Sequence, residues 1–315
     1  MFNEQIQQLI LKTHRLVFPF PNDWMTVRGS KANQLIGTLL NTEKPCLITR
    51  FGSIETEAMM AYLYRNEKMS PLQRFYRFAS WDIRYVGWEP PLKNKLQNNA
   101  GFFPPEEKYL NRFAELYLSI LPDIDLIGSW IHAEILLRQR MQNTQRIPLA
   151  DLEPYLHTNP WSKALENRKV LVIHPFSESI SSQYAKRELL FDNPNVLPSF
   201  ELKTLRAVQS SGGNRVPFSD WFTALDAMKS EIDKIEFDVA VIGAGAYGLP
   251  LAAHIKSIEK QAVHLGGATQ MLFGIYGQRW VNDPLRRYFI NEHWIRPLDS
   301  DKIENFKQIE NGCYW

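Results

Sequence analysis

The sequence predicts an α/β fold of Rossmann-like type: a mostly parallel sheet with helices on both faces and a helical insertion. Short apolar runs alternate with longer helical patterns along most of the chain, which is the signature of βα units and a parallel sheet. Two of the runs, Val170-Leu171-Val172-Ile173 and Val239-Ala240-Val241-Ile242, are apolar at every position, as strands covered on both faces must be. The 315 residues, 44% of them apolar, carry no Ser/Gly linker, internal repeat or low-complexity tract, so a single domain with elaborations is expected.

The elements follow in order. Ile6, Leu9, Ile10, Thr13, Leu16 and Val17 recur at helical spacing ahead of Pro19-Phe20-Pro21, which predicts an amphipathic helix over about 3–17. Its mixed polar face favours packing on the domain over lipid. Strands are expected over 45–51, 125–130, 169–176, 200–208, 237–243 and 262–266. Between the first two lies an aromatic-rich stretch, about 58–122, whose helical patterns are interrupted at Pro71, Pro90-Pro91 and Pro104-Pro105. It reads as a helical insertion.

Charge and cysteine usage narrow the function classes. Thirty-six Lys and Arg against 34 Asp and Glu leave +2, too little for a global field that would gather nucleic acid or anionic lipid. Cys46 and Cys313 have no pair spacing, which excludes a disulfide framework or a Cys-based zinc site and fits a reducing cytoplasm. No secretory signal is visible, because Glu4, Lys12 and Arg15 interrupt the first twenty residues. The longest uncharged apolar run, 239–255, contains Gly243, Gly245, Gly248 and Pro250 and is unsuited to a lipid span.

Four segments carry residues suited to chemistry. Gly243-Ala-Gly245-Ala-Tyr-Gly248 follows a strand and opens a helical pattern over 249–258, the setting in which glycines let a backbone turn approach a diphosphate. A structural tight turn, a phosphate or nucleotide site, and an NAD(P) site are all open here. Against NAD(P), the next strand ends at His264-Leu265-Gly266-Gly267, where a ribose-binding acid is wanted, and few βα units remain. The second segment, 174–182, puts His174 and Ser177 at a strand exit before a helical pattern over 183–190, with Ser181 or Ser182 as the alternative helix cap. In the third, Gln209-Ser210-Ser211-Gly212-Gly213-Asn214 follows a strand and precedes a helix expected to be capped by Ser219. His264, inside an apolar strand, is either a core residue or a catalyst.

The fourth, Leu47-Ile48-Thr49-Arg50-Phe51-Gly52-Ser53-Ile54-Glu55, is a strand, a tight loop and a helix start. It resembles the Arg-Phe-Gly-Asp-Gly-Glu motif of the GT-D-fold glycosyltransferases, bacterial enzymes of surface-polysaccharide and glycoprotein assembly. The order of Ser210-Ser211-Gly212, Asp238-Val-Ala-Val-Ile-Gly243 and Gln261-Ala-Val-His-Leu-Gly266 is similar to the C-terminal part of that family. The resemblance covers roughly 45–60 and 200–280 and implies a nucleoside-diphosphate sugar donor and a polysaccharide or lipid-linked glycan acceptor, handled at the cytoplasmic membrane face through peripheral contact. Such a transfer asks for a diphosphate cradle, charge to offset the leaving group and a base; the candidates for catalysis are Arg50, Glu55, His174 and His264, with Gly52, Ser53, Ser177, Ser211, Gly212, Gly243, Gly245, Gly248, Gly266 and Gly267 as candidates around the donor. Ser53 stands at the family's Asp, so Mg²⁺ or Mn²⁺ is expected to be held weakly at Glu55, mainly through the donor diphosphate. An NAD(P)-linked oxidoreductase and a non-catalytic sugar-nucleotide-binding partner are the competing classes. Because parallel βα units set their strand-exit loops on one edge, Arg50, Gly52, Glu55, His174, Ser177, Gly243, Gly245 and His264 are expected to converge on one cleft.

Overall fold

A computed structural model of the chain describes residues 19–81 and 83–315; the helix expected over about 3–17 lies outside them. Seven strands form one sheet: β1 (Cys46–Thr49), β2 (Leu126–Ser129), β3 (Gln145–Pro148), β4 (Lys169–His174), β5 (Glu201–Arg206), β6 (Val239–Ile242) and β7 (Gln261–His264). All pair in parallel, in the order β3-β2-β1-β7-β6-β4-β5. The expected Rossmann-like α/β architecture is therefore present. The six expected strands are β1, β2, β4, β5, β6 and β7.

The seventh, β3, has no counterpart in the sequence reading. Its four residues, Gln-Arg-Ile-Pro, bury only Ile147, so this edge strand gives neither an apolar run nor an alternation long enough to detect.

Alternating strand residues feed two cores. Leu47, Ile127, Leu171, Ile173, Ala240, Ile242 and Ala262 join one cluster, whereas Ile48, Leu126, Val170, Val172, Val239, Val241 and Val263 join the other. The first face is covered by α2 (Ser53–Tyr64), α5 (Glu107–Ile120), α7 (Trp221–Ile232) and α8 (Gly248–Ser257); α1 (Ser30–Asn41), α6 (Ser177–Tyr184) and α9 (Ala268–Leu272) cover the second. Between β1 and β2 the chain forms α2, α3 (Pro71–Trp81), α4 (Pro90–Asn98) and α5. Pro71 and Pro90 open helices there, where a missing N–H costs nothing. No helix among the described residues is long and apolar enough to cross a membrane.

Two local expectations change. The helix after β4 begins at Ser177, with Ser181 and Ser182 inside it, not capping one that starts near Gln183. Its first turn is held from afar: Asp301 Oδ2 accepts from the Ser179 amide at 2.8 Å and its hydroxyl at 2.6 Å. Helix α7 is capped by Asp220, whose Oδ1 accepts from the Phe222 and Thr223 amides at 2.9 Å each; Ser219 donates to Asp220 Oδ2. A carboxylate wins over a neutral hydroxyl at that position because it also complements the helix dipole.

Candidate functional site at the strand exits

After β1 and β6 the chain turns onto one face of the sheet, into α2 and α8. After β7 and β4 it turns onto the other, into α9 and α6. The divergence of neighbouring exits at β1/β7 and β7/β6 opens a crevice beyond the carboxyl edge, the usual ligand position in open parallel sheets. A cleft of about 220 Å³ occupies it, lined from Arg50 and Glu55 at β1 to Gln209 and Ser211 after β5. Those two ends are four strand spacings apart, about 19 Å.

At the β1 end, Arg50 is enclosed by protein but keeps surface on the cleft. Its Cζ lies 5.2 Å from the Trp130 ring centroid. Trp130 is itself fixed by donating from Nε1 to Phe51 O at 2.9 Å. Across the guanidinium runs the backbone of Gly266, with φ +61°; a methyl there would lie 2.9 Å from Arg50 Nη1. Arg50 Nε is buried without a hydrogen-bond partner, and no carboxylate among the described residues pairs with the side chain. Burial lowers its pKa, with Glu55 pulling back toward the charged form. A guanidinium sandwiched between an indole and a glycine, and left short of acceptors, is built to receive an anion.

Glu55 stands in the first turn of α2 and bends back over Gly52, whose missing side chain leaves room for the carboxylate. Burial raises its pKa, while its own amide and then Arg50 lower it. A carboxyl that lines the cleft with its pKa raised by burial suits proton abstraction.

The glycine turn lies across the cleft. Gly245 adopts φ +53° with open space where a side chain would point, and the Ala244, Gly245 and Ala246 amides find no acceptor among the described residues. Gly243 and Gly248 have packing roles instead. The Gly243 amide donates to Ile173 O at 2.9 Å, a methyl on Gly243 would lie 2.7 Å from Gly266 O, and one on Gly248 would enter the His264 ring.

The two histidines differ in what they can do. His174 Nδ1 accepts from the Phe176 amide at 2.9 Å, so its proton sits on Nε2. Burial lowers its pKa to about 3. At neutral pH it is a hydrogen-bond donor to the cleft, not a base. His264 Nδ1 and Thr49 Oγ1 are 2.9 Å apart, its Nε2 packs on Gly248, and burial followed by the Arg50 charge lowers its pKa to about 3. It is a buried, neutral spacer between β1 and α8.

Of the residues expected around the site, Arg50, Gly52, Ser53, Glu55, His174, Ser211, Gly243, Gly245, His264, Gly266 and Gly267 line the cleft. Ser177, Gly212 and Gly248 do not. Ser177 is buried at the start of α6, and Gly212, at φ +67°, turns the chain against Asn305 and Ile309. The sequence reading missed the wall made by Trp130, Tyr117, Arg279, Ile309, Glu310, Tyr314 and Trp315. Trp130 follows β2 and could have been found by the same strand-exit rule. Behind it, Glu134 is fully buried and accepts from Ser129 Oγ and from the Trp130 and Ile131 amides at 3.3 and 3.0 Å. Burial raises its pKa to about 7 against these bonds and the Arg50 charge.

These residues do not form a metal site by themselves. Beside Glu55 stand the neutral Ser53 hydroxyl and the cationic Arg50, and the other carboxylate of the cleft, Glu310, is ion-paired with Arg279. No cluster of three or more His, Cys, Asp or Glu suited to a metal ion occurs among the described residues. No family model, curated protein or solved structure matches the chain.

Proposed function

We propose that the protein is a glycosyltransferase that binds the diphosphate of a nucleoside-diphosphate sugar in this cleft and transfers the sugar to a glycan or lipid-linked acceptor. The observation that carries the reading is the enclosed, unpartnered Arg50 guanidinium in the same cleft as the Ala244–Gly245–Ala246 turn, whose amides have no hydrogen-bond acceptor among the described residues. A charged fork and a set of amides around one crevice match the several oxygens of a diphosphate. The Nε2–H of His174 supplies a further neutral donor.

Each residue then has a task. Arg50 offsets charge that grows on the departing diphosphate, in a site whose dipoles are fixed before the reaction. Glu55 takes the proton of the acceptor hydroxyl, since both histidines are poor bases. A dinucleotide reading lacks support at the end of β7, where Leu265-Gly266-Gly267 offers no acid for the ribose.

Thermal shift and calorimetry against UDP-, GDP-, dTDP- and CMP-sugars, with and without Mn²⁺, test the proposal. It requires saturable binding of a diphosphate donor and release of nucleoside diphosphate on adding acceptor. Binding without release or transfer would make the protein a non-catalytic sugar-nucleotide partner. Binding of none of the donors would overturn the reading.

A further inference from the structure

The end of the cleft farthest from Arg50 has a different chemistry. Asn99, at the end of α4, and Gln209 and Ser211, after β5, line it with uncharged polar groups. The main-chain carbonyls of Asn99 and Gln209 are engaged, accepting from Ser211 Oγ at 3.4 Å and Asn214 Nδ2 at 2.7 Å. Their side-chain carboxamides have no hydrogen-bond partner among the described residues.

The wall beneath them is firmly built. Ser210 Oγ donates to Gly101 O at 2.6 Å and lies 3.2 Å from Tyr247 Oη, within the glycine turn. Gly101, at φ +71°, packs so closely on Ser210 and Ser211 that a methyl would lie 2.9 Å from the Ser211 amide nitrogen. Tyr247 stacks on Trp221 with centroids 4.7 Å apart. The insertion, the β5 exit and the glycine turn thus meet at one junction, and two free carboxamides stand on it.

We propose that this end is the nucleoside subsite, in which the carboxamides of Asn99 and Gln209 read the hydrogen-bonding edge of the base. A carboxamide presents a donor and an acceptor side by side, complementary to the adjacent donor and acceptor of a nucleobase edge. The inference rests on the diphosphate reading above, and position supports it. With the reacting sugar at Glu55 and the diphosphate over Arg50 and the glycine turn, the rest of the donor runs across β6 and β4 toward β5. The span of about 19 Å leaves that end to a group beyond the phosphates.

The test titrates inorganic pyrophosphate, UDP, ADP and GDP into the full chain and into Asn99→Leu and Gln209→Met, both near-isosteric. At least one nucleotide should bind the unsubstituted protein about tenfold or more tighter than pyrophosphate, and both substitutions should remove that gain. Pyrophosphate binding in the same variants reports an intact cleft. If no nucleotide exceeds pyrophosphate, or if the gain survives both substitutions, the subsite is overturned while the diphosphate reading stands. Failure of pyrophosphate to bind the unsubstituted protein overturns both.

Discussion

Replacing Arg50 with methionine separates what the side chain costs the fold from what it does for a ligand. The Nε group is buried without a partner, a situation worth about 1–3 kcal/mol of destabilisation. Against this, the substitution loses the contact with the Trp130 ring, worth about 1 kcal/mol. The unliganded Arg50→Met protein should therefore be between equally stable and about 2 kcal/mol more stable. With unfolding entropy near 2.1 cal/mol/K per residue over 315 residues, that is a Tm change of about 0 to +3 °C. A ligand at a hundred times its Kd stabilises the protein that binds it by about 2.7 kcal/mol, here about 4 °C. Differential scanning fluorimetry with and without saturating pyrophosphate reads both numbers. The unsubstituted protein should shift upward by about 4 °C and Arg50→Met should not shift. A fall of several degrees in unliganded Arg50→Met, or a retained ligand shift, would refute the assignment of Arg50 as an anion receptor kept at a cost to the fold.

Four further outcomes are expected. Glu55→Gln should lower the transfer rate by about 10²–10⁴ while leaving donor affinity within about threefold, measured by nucleoside diphosphate release and calorimetry. Gly248→Ala should destabilise by about 1–3 kcal/mol in chemical denaturation, because the methyl meets the buried His264 ring. Gly245→Ala, which has open space but φ +53°, should cost no more than about 1–2 kcal/mol. The Glu134 carboxyl titrates at about 7 in the fold against an ordinary 4.5, so its contribution to stability is complete below pH 4.5 and is lost as pH rises through 7. Glu134→Gln should therefore gain on the parent protein between those limits and level off above; a pH-independent difference in denaturation midpoints would contradict the shift.

The part of the site legible in the sequence was the part fixed by strand exits. Buried runs such as Val239–Ile242 identify themselves because both faces are covered, and Arg50, Gly52 and Glu55 follow β1 directly. Chemistry was harder to read than position. The three motif glycines look equivalent in sequence, yet Gly243 and Gly248 make room for neighbouring atoms and Gly245 turns the chain. The tautomer of His174 depends on the Phe176 amide, a hydrogen bond that residue type does not disclose. The wall from Arg279 to Trp315 was invisible because it is held by contacts distant in sequence. Asp301 bonds Ser179, and Arg279 bonds Tyr314 at 2.8 Å and pairs with Glu310. The same Asp301 contact supports a helix start in a serine-rich stretch whose local preference is for loop.

A crystal structure of the protein with a bound nucleoside diphosphate tests the central claim most directly. The account predicts diphosphate oxygens within hydrogen-bond distance of the Arg50 guanidinium and of at least one amide among Ala244, Gly245 and Ala246, with the Glu55 carboxylate at the sugar-bearing end. A diphosphate bound elsewhere on the protein, or one in the cleft that leaves Arg50 without an acceptor, would contradict it.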